Sequence, residues 1–292
     1  MRNMENDLLT RIEKQMPKFS KGQRAIASFI LNHYDKAAFM TASKLGKTVD
    51  ISESTVVRFA SELGFEGYPE LQKSLQQLIA NRLTGVQRIE VTDDRMGTGD
   101  VLNKVLSADM EKIRHTLEEI SRPDFDRAVN AILEAKNIYI VGVRSAQSLS
   151  DFLTFYLNLV MNNVRPVTAN SQSEIFEQIL RIDKDDVFIG ISFPRYSQRT
   201  VAAAKYASSR GAKIIGITDT VSSPLAEKAD YLLTARSDMT TFVDSLVAPF
   251  SLINALIVAV GLKKKKEVSE TFEQLERIWG EYHVYETNGA KQ

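Results

Sequence analysis

Within ten residues this chain gathers Ser52, Ser54, Thr55, Arg58 and Ser61. In a helical register they interleave with Val56, Phe59 or Ala60, and Leu63, which supply a buried stripe and leave Ser54, Thr55, Arg58 and Ser61 facing outward. Short hydroxyls beside an arginine are suited to a nucleic-acid groove: serine and threonine pair with several bases or with phosphate oxygens, and arginine makes the bidentate contact to guanine. Ser43, Lys44 and Lys47 come just before and add a hydroxyl and two cations for phosphates, a positioning role. The competing assignment for the same residues is a solvated helical hairpin in an all-helical domain, a geometry common in proteins that never meet DNA.

The elements that must position these groups follow from the local pattern. From Thr41 to Phe65 the string TASKLGKTVDISESTVVRFASELGF reads as two short helices around a tight turn. Ala42, Leu45 and Val49 form the first apolar face, and Ser52 is the expected N-cap of the second helix. Residues 8 to about 80 are short amphipathic helices throughout, among them Lys21 to about Asn32, with Ser20 as N-cap and Ala25, Ile26, Phe29 and Ile30 as its apolar face. Residues 1 to 82 hold 12 Lys/Arg against 9 Asp/Glu, a mild excess that permits phosphate contacts.

Between Thr84 and Gly99 helical periodicity lapses and Gly, Asp and Thr gather, as in a connection between domains. Amphipathic spacing resumes over 101 to 120 and predicts a bridging helix. From about 125 onward, apolar runs (NIYIVGV, NVRPVTA, DVFIGISF, AKIIGITD) alternate with helices over 146 to 161, 173 to 181 and 198 to 209. That rhythm favours a doubly wound parallel sheet with helices on both faces. After a strand near Tyr231 to Leu233 comes a long apolar helix, VDSLVAPFSLINALIVAVGL, then KKKK and a final amphipathic helix ending near His283. Asp244, Ser245, Pro249, Ser251 and Asn254 interrupt the apolar helix and assign it to a core or a dimer interface, not a membrane span.

Composition narrows the chemistry further. The 292 residues suit two domains, and 37 Lys+Arg balance 37 Asp+Glu, so the chain is no nonspecific polycation. Cysteine is absent, which excludes disulfides, thiolate metal sites and cysteine nucleophiles and fits the cytoplasm. The first residues, MRNMENDLLTRIEKQM, carry no apolar core of a secretory signal. No zinc-ligand cluster, Walker loop or nucleophile elbow occurs, so neither a metal nor a cofactor is expected.

The string ISESTVVRFASELGFEGYPELQ, Ile51 to Gln72, closely resembles the signature of the RpiR/MurR family of sugar-responsive transcription regulators, in which Ser-x-x-Thr-Val-x-Arg-Phe and Leu-Gly-Phe-x-Gly-Tyr/Phe-Pro-Glu-Leu recur. The resemblance covers roughly Leu8 to Leu78 and implies that the helix from Glu53 to Leu63 is the recognition helix. Gly64 suits the C′ position of that helix, and Gly67, Tyr68 and Pro69 turn the chain into the next one, with Tyr68 assigned to core packing. Residues from about 120 to 265 resemble a SIS domain, the sugar-isomerase fold, in IYIVGVRSAQSLSDFL, in DVFIGISFPRYSQRTVAAAKYASSRGAKIIGITD and in SSPLAEKADYLL.

Such a fold needs an anion cradle of hydroxyls, backbone N–H groups and helix N-termini at the carboxyl ends of strands. Two loops qualify: Gly142 to Ser148, with Gly142, Arg144 and Ser145, and Ser192 to Thr200, with Ser192, Arg195 and Ser197. The family's second loop reads Ser-x-Ser-Gly-x-Thr, and here it is SFPRYS: Pro194 stands where a hydroxyl is expected and Arg195 where glycine is expected. The first, Gly-x-Gly-x-Ser, is GVRSA, with Arg144 for the second glycine and Ser145 supplying the hydroxyl only through a loop one residue shorter. Arginine suits bidentate recognition of phosphate or carboxylate, so the exchanges could keep anion binding while altering which anion fits. The alternative is a pair of turns with N-capping serines and surface arginines. Ser171 and Glu174 are further candidates for sugar-hydroxyl contacts, Glu174 serving equally as a helix-start acid.

An aldose-ketose isomerase needs a base, and no histidine lies between Lys136 and Lys264. His33, His115 and His283 all fall elsewhere, which leaves Glu174 as the only carboxylate to nominate. The expected fold is therefore α plus α/β: a helix-turn-helix DNA-binding domain over 1–82, a linker and bridging helix over 83–119, a SIS-type ligand-sensing domain over 120–265, and a C-terminal helix and tail over 266–292. The expected partners are a double-stranded DNA operator, a small phosphosugar or anionic sugar-derived effector, and further copies of the chain as a homodimer or dimer of dimers, with no membrane. The alternative is a sugar-phosphate isomerase.

Overall fold

The structure is a computed structural model that describes residues 8–82, 85–97, 99–168, 171–237 and 241–285. The amino-terminal 1–7, Thr84 and the tail beyond Tyr285 lie outside the described residues. The chain forms two compact units, one of Met1–Ala108 with Asp238–Ser245, the other of Asp109–Ser237 with Leu246–Gln292.

The first unit is helical: α1 (Leu8–Gln15), α2 (Lys21–Asn32), α3 (Tyr34–Ala37), α4 (Ala42–Thr48), α5 (Glu53–Glu62), α6 (Tyr68–Arg82), α7 (Gly85–Met96) and the start of α8 (Val101–Glu119). The expected α2 has the expected bounds because its cap is complete. Ser20 Oγ accepts from the Gln23 N–H, and the Gln23 side chain accepts from the Ser20 N–H, so two of the orphan donors of the first turn are met. Phe19, Ile26, Ile30, Leu45, Val56, Phe59, Leu63, Leu71 and Leu75 make one core, with the Phe19 and Phe59 rings 5.1 Å apart.

The irregular connection expected over Thr84 to Gly99 is largely helical instead, as α7. Among its described side chains the buried ones are Arg88 and Val91, three residues apart. Arg88 is an unpromising core residue in its own segment; its guanidinium pairs at 2.6 Å with Asp244, which arrives from far along the chain within the same unit. The helical spacing is there, but half of it is carried by a charge whose partner is remote in sequence.

The second unit continues α8 and adds α9 (Arg122–Glu134), β1 (Ile138–Gly142), α10 (Ser145–Val160), β2 (Val164–Pro166), α11 (Gln172–Ile179), β3 (Val187–Ile191), α12 (Gln198–Ser209), β4 (Lys213–Thr218), β5 (Tyr231–Thr234), α13 (Val247–Lys263) and α14 (Lys265–Glu281). All strand pairs are parallel, in the order β2-β1-β3-β4-β5. β1 and β3 are buried at every position, which explains why they read as unbroken apolar runs. One sheet face packs on α9, α10 and α13, the other on α11 and α12. The expected doubly wound architecture is thus present. The apolar helix starts at Val247, four residues later than its composition suggests, since Asp244 is engaged with Arg88. Among the described residues no single helix is long and apolar enough to cross a membrane.

Candidate DNA-binding helix and effector loops

In the first unit, α4 and α5 are held by a turn whose tightness is set by two backbone features. Gly46 lies so close to the turn that an added Cβ would sit 2.5 Å from the Ile51 carbonyl oxygen, and Asp50 takes a left-handed φ of 57°. Asparagine and aspartate tolerate that region better than most residues with a Cβ. The Ile51 N–H closes the turn on the Gly46 carbonyl at 2.8 Å. Neither residue stands out from the sequence pattern of apolar and hydroxyl positions, and the only signal is a glycine inside a short helix.

The turn presents α5 with Val56, Phe59, Ala60 and the following Leu63 buried, and with Ser54, Arg58 and Ser61 exposed. Thr55 is half-buried. Arg58 lies back along the helix toward its N-terminus, donating from Nη2 to Thr55 Oγ1 at 3.3 Å and from Nε to the Ser54 carbonyl at 3.4 Å. Ser61 back-bonds to the Val57 carbonyl at 3.4 Å. Ser52 departs from its expected role: it occupies the N-cap position, but its hydroxyl accepts from no backbone N–H of the helix. It instead shares hydrogen bonds with Ser54 Oγ at 3.1 Å and Thr55 Oγ1 at 2.9 Å, a hydroxyl cluster at the leading end of α5. On α4, Lys44 and Lys47 are exposed and Ser43 is half-buried, while Thr41 caps the helix through the Lys44 N–H. Sequence reasoning missed the floor beside α5, where a Cβ at position 22 would lie 3.1 Å from the Ile51 side chain and Gln23 donates to Glu62.

Behind this pair, Gly64 has φ 82° at the end of α5, as a helix C′ glycine should. Tyr68 is 3% exposed and donates to the Met40 carbonyl at 2.8 Å, and burial pushes its phenol up to about 12. Its role is packing, as its place in the motif suggested.

In the second unit, the loops after β1 and β3 leave the sheet side by side, since the strands are paired with Gly142 opposite Ile191. Their following helices, α10 and α12, go to opposite faces. That is the switch point at which open α/β sheets leave a crevice for ligands. Arg144 precedes α10 as its N-cap residue with φ 60° and offers no side-chain cap; Ser145 is the first residue of the helix. Arg195 sits in the second loop with φ 65°. Both arginines and Ser145 are exposed.

Other expected ligand groups turn inward. Gly142 is a close-packing residue, for a Cβ there would lie 2.5 Å from the Ala146 carbonyl oxygen. Ser192 is 2% exposed and its hydroxyl accepts from the Ser197 N–H at 3.2 Å. Ser197 caps α12 through the Thr200 N–H at 3.4 Å. Glu174 is exposed on α11, with its N–H donating to Ser171 Oγ, so Ser171 acts as a helix cap. The sequence did not reveal that Tyr196 donates to Asp219 at 2.8 Å and so ties the β3 loop to the end of β4, where Thr218 also donates to Asp219. Burial, and secondarily the Asp219 carboxylate, holds the Tyr196 phenol far above its usual range.

Two family models match the chain: a helix-turn-helix domain of the rpiR family over residues 6–82 and a SIS domain over residues 131–259. This chain joins a helix-turn-helix domain of the rpiR family to a SIS domain. Its relatives include an uncharacterized HTH-type transcriptional regulator of Clostridium perfringens, 26% identical over 259 residues, 87% of this chain and 91% of the relative. Another is the HTH-type transcriptional regulator HexR of Pseudomonas aeruginosa, 25% identical over 268 residues, 88% of this chain and 90% of the relative. In fold, this chain is similar to the Vibrio vulnificus NanR protein complexed with ManNAc-6P, at a TM-score of 0.57 and 21% identity over 92% of this chain and 98% of that one. The sugar isomerase domain of an RpiR transcription factor from Sphaerobacter thermophilus aligns at a TM-score of 0.59 and 24% identity, over 61% of this chain and 99% of that one.

Proposed function

We propose that this chain is a DNA-binding transcription regulator of an operon for a sugar or sugar derivative. Its operator affinity is controlled by a phosphosugar or related anionic metabolite held in the sheet-end loops of the SIS domain. The observation that carries the DNA half is the division of α5, hydroxyls and Arg58 on the exposed face and a fully packed apolar face behind them. In such a motif the second helix enters the major groove and the first crosses the backbone, which suits Lys44, Lys47 and Ser43 to phosphates and Arg58 to guanine. Supporting the effector half are the arginines at adjacent strand ends and the fold shared with NanR, a protein solved with ManNAc-6P.

The functional unit is a homodimer or dimer of dimers in the cytoplasm, each pair setting two recognition helices against half-sites of a palindrome. Effector binding changes their spacing. The protein is a binder and not an isomerase, because no histidine lies between Lys136 and Lys264 and Glu174 stands exposed on α11. Footprinting of the cognate promoter with and without phosphosugars and sugar acids tests the reading, with the expectation that protection changes for at least one compound. Interconversion of sugar phosphates by the purified protein, abolished by Glu174→Gln, would establish the isomerase instead.

A further inference from the structure

The chain between β5 and α13 does not stay with the sheet it serves. Its residues Asp238–Ser245 belong to the first unit, whereas Ser237 before them and Leu246 after them belong to the second. Before the segment, the Arg236 N–H donates to Thr116 Oγ1 at 2.9 Å and its guanidinium pairs with Glu119 at 2.6 Å, which fixes it to α8 within the second unit. Within the first unit, Asp244 pairs with Arg88 of α7 at 2.6 Å, and the Arg88 side chain is only 4% exposed. A buried pair of this kind adds little net stability, because desolvation offsets most of the attraction, yet removing one partner is costly, because the other charge is left in the interior. The pair therefore fixes the place of the segment more than it strengthens the fold.

Each end of this tie leads to a part of the proposed regulator. On the sheet side the line runs along the carboxyl edge of the strands. Tyr196 in the loop after β3 donates to Asp219 at 2.8 Å, the preceding Thr218 carbonyl accepts from the Ala235 N–H at 2.8 Å, and Arg236 follows directly. One side-chain bond and paired main chain therefore connect the β3 loop to the chain that enters the segment. On the helical side, Val91 lies one turn along α7 from Arg88 and packs in the core that holds Val56, Phe59 and Leu63 of the helix-turn-helix. Neither Arg88 nor Asp244 belongs to α5 or to the loops after β1 and β3.

We propose that the Arg88–Asp244 pair relays occupancy of the effector loops to the helix-turn-helix, both residues acting by position and neither by contact with effector or operator. The relay has two states, pair made and pair opened. Effector shifts the balance by binding the two forms with different affinity, and α7 carries the difference to the core behind α5. The proposal rests on the reading of the β1 and β3 loops as the effector site and of α5 as the operator-binding helix.

The test is fluorescence anisotropy of the full chain on its promoter, titrated with glucose 6-phosphate, glucosamine 6-phosphate and 6-phosphogluconate, beside calorimetry of the same compounds without DNA. In the parent at least one compound should change operator affinity by about fivefold or more, within the usual range of allosteric coupling. In Asp244→Asn and in Arg88→Met that change should fall to about twofold or less, although each variant still binds the compound and the operator separately. Each single variant leaves one buried charge alone, so the deciding arm is the double variant Arg88→Met with Asp244→Leu, which leaves none and should melt near the parent with the same loss of coupling. A change above about twofold in a cooperatively melting double variant overturns the relay and leaves the effector and operator readings standing. Loss of compound or operator binding in that variant makes the pair purely structural and overturns the relay equally. A compound that binds the parent without altering operator affinity also overturns it. Failure of all three compounds to bind the parent overturns the effector reading, and the relay with it.

Discussion

Under the proposed function, Arg58 is the side chain on which sequence reading of DNA depends. Its guanidinium lies along α5 in contact with Thr55 and the Ser54 carbonyl, an exposed arrangement that a groove can draw outward without unpacking the core. Arg58→Ala is expected to cost about 1–3 kcal/mol of operator affinity and to relax preference at one base pair, measured by fluorescence anisotropy against a set of single-base operator variants. Lys44→Ala and Lys47→Ala should instead weaken binding to all sequences alike and each lower the salt slope by about one, read from affinity against salt concentration. Tyr68 makes a separate prediction about pH. Its folded pKa is raised from 10.0 to about 12, so the protonated phenol is favoured by folding. That contribution is complete below pH 10 and lost as pH rises toward 12. Tyr68→Phe should remove the alkaline loss of stability between those values while costing about 1 kcal/mol at neutral pH through the missing bond to Met40.

At the scale of elements, the helix-turn-helix depends on a backbone approach more than on its apolar stripes. A Cβ at position 46 would lie 2.5 Å from a main-chain oxygen, which cannot swing away as a flexible side chain could. Gly46→Ala should therefore destabilise the helical unit by about 1–3 kcal/mol and shift α5 relative to α4, seen as a lowered unfolding midpoint and a loss of operator binding larger than the stability change explains. The switch-point loops behave differently. Their strands and helices are rigidly packed, whereas Arg144 and Arg195 are exposed, so on the proposed function substitutions at either are expected to change effector binding with little effect on the sheet.

For the whole molecule, the proposed pairing needs a surface, and within the second unit the seam between α8 and α13 offers one. Met110, Ile113 and Leu117 on α8 and Val258 and Leu262 on α13 are apolar and exposed, and several line an apolar groove. A contiguous patch of this kind on a single chain is the usual mark of an interaction site. Leu117→Glu with Leu262→Glu should shift the chain from dimer to monomer in sedimentation velocity and abolish cooperative protection of paired half-sites, with the melting of each unit little changed. A double variant that stayed dimeric would move the interface elsewhere.

Much of this protein was open to inference from its residues in order. Periodicity 3.6 and unbroken apolar runs are local properties, so α2, α4, α5, the parallel strands and their helical crossovers could be read directly, and the outward set on α5 followed from the spacing of Val56, Phe59 and Leu63. The motif strings located both domains because they span contiguous residues. Other features depended on groups distant along the chain. That Arg88 is a core residue required Asp244, that Ser52 joins a hydroxyl cluster instead of capping required side-chain geometry, and that Ser192 faces Ser197 required the folded loop. The left-handed φ at Arg144 and Arg195 is likewise a tertiary fact, set by how β1 and β3 must deliver their chains into α10 and α12. Sequence order determined which elements form and where their chemistry lies; only packing decided which polar groups remain available, because each hydrogen bond made inside the fold removes a donor or acceptor from whatever binds outside it.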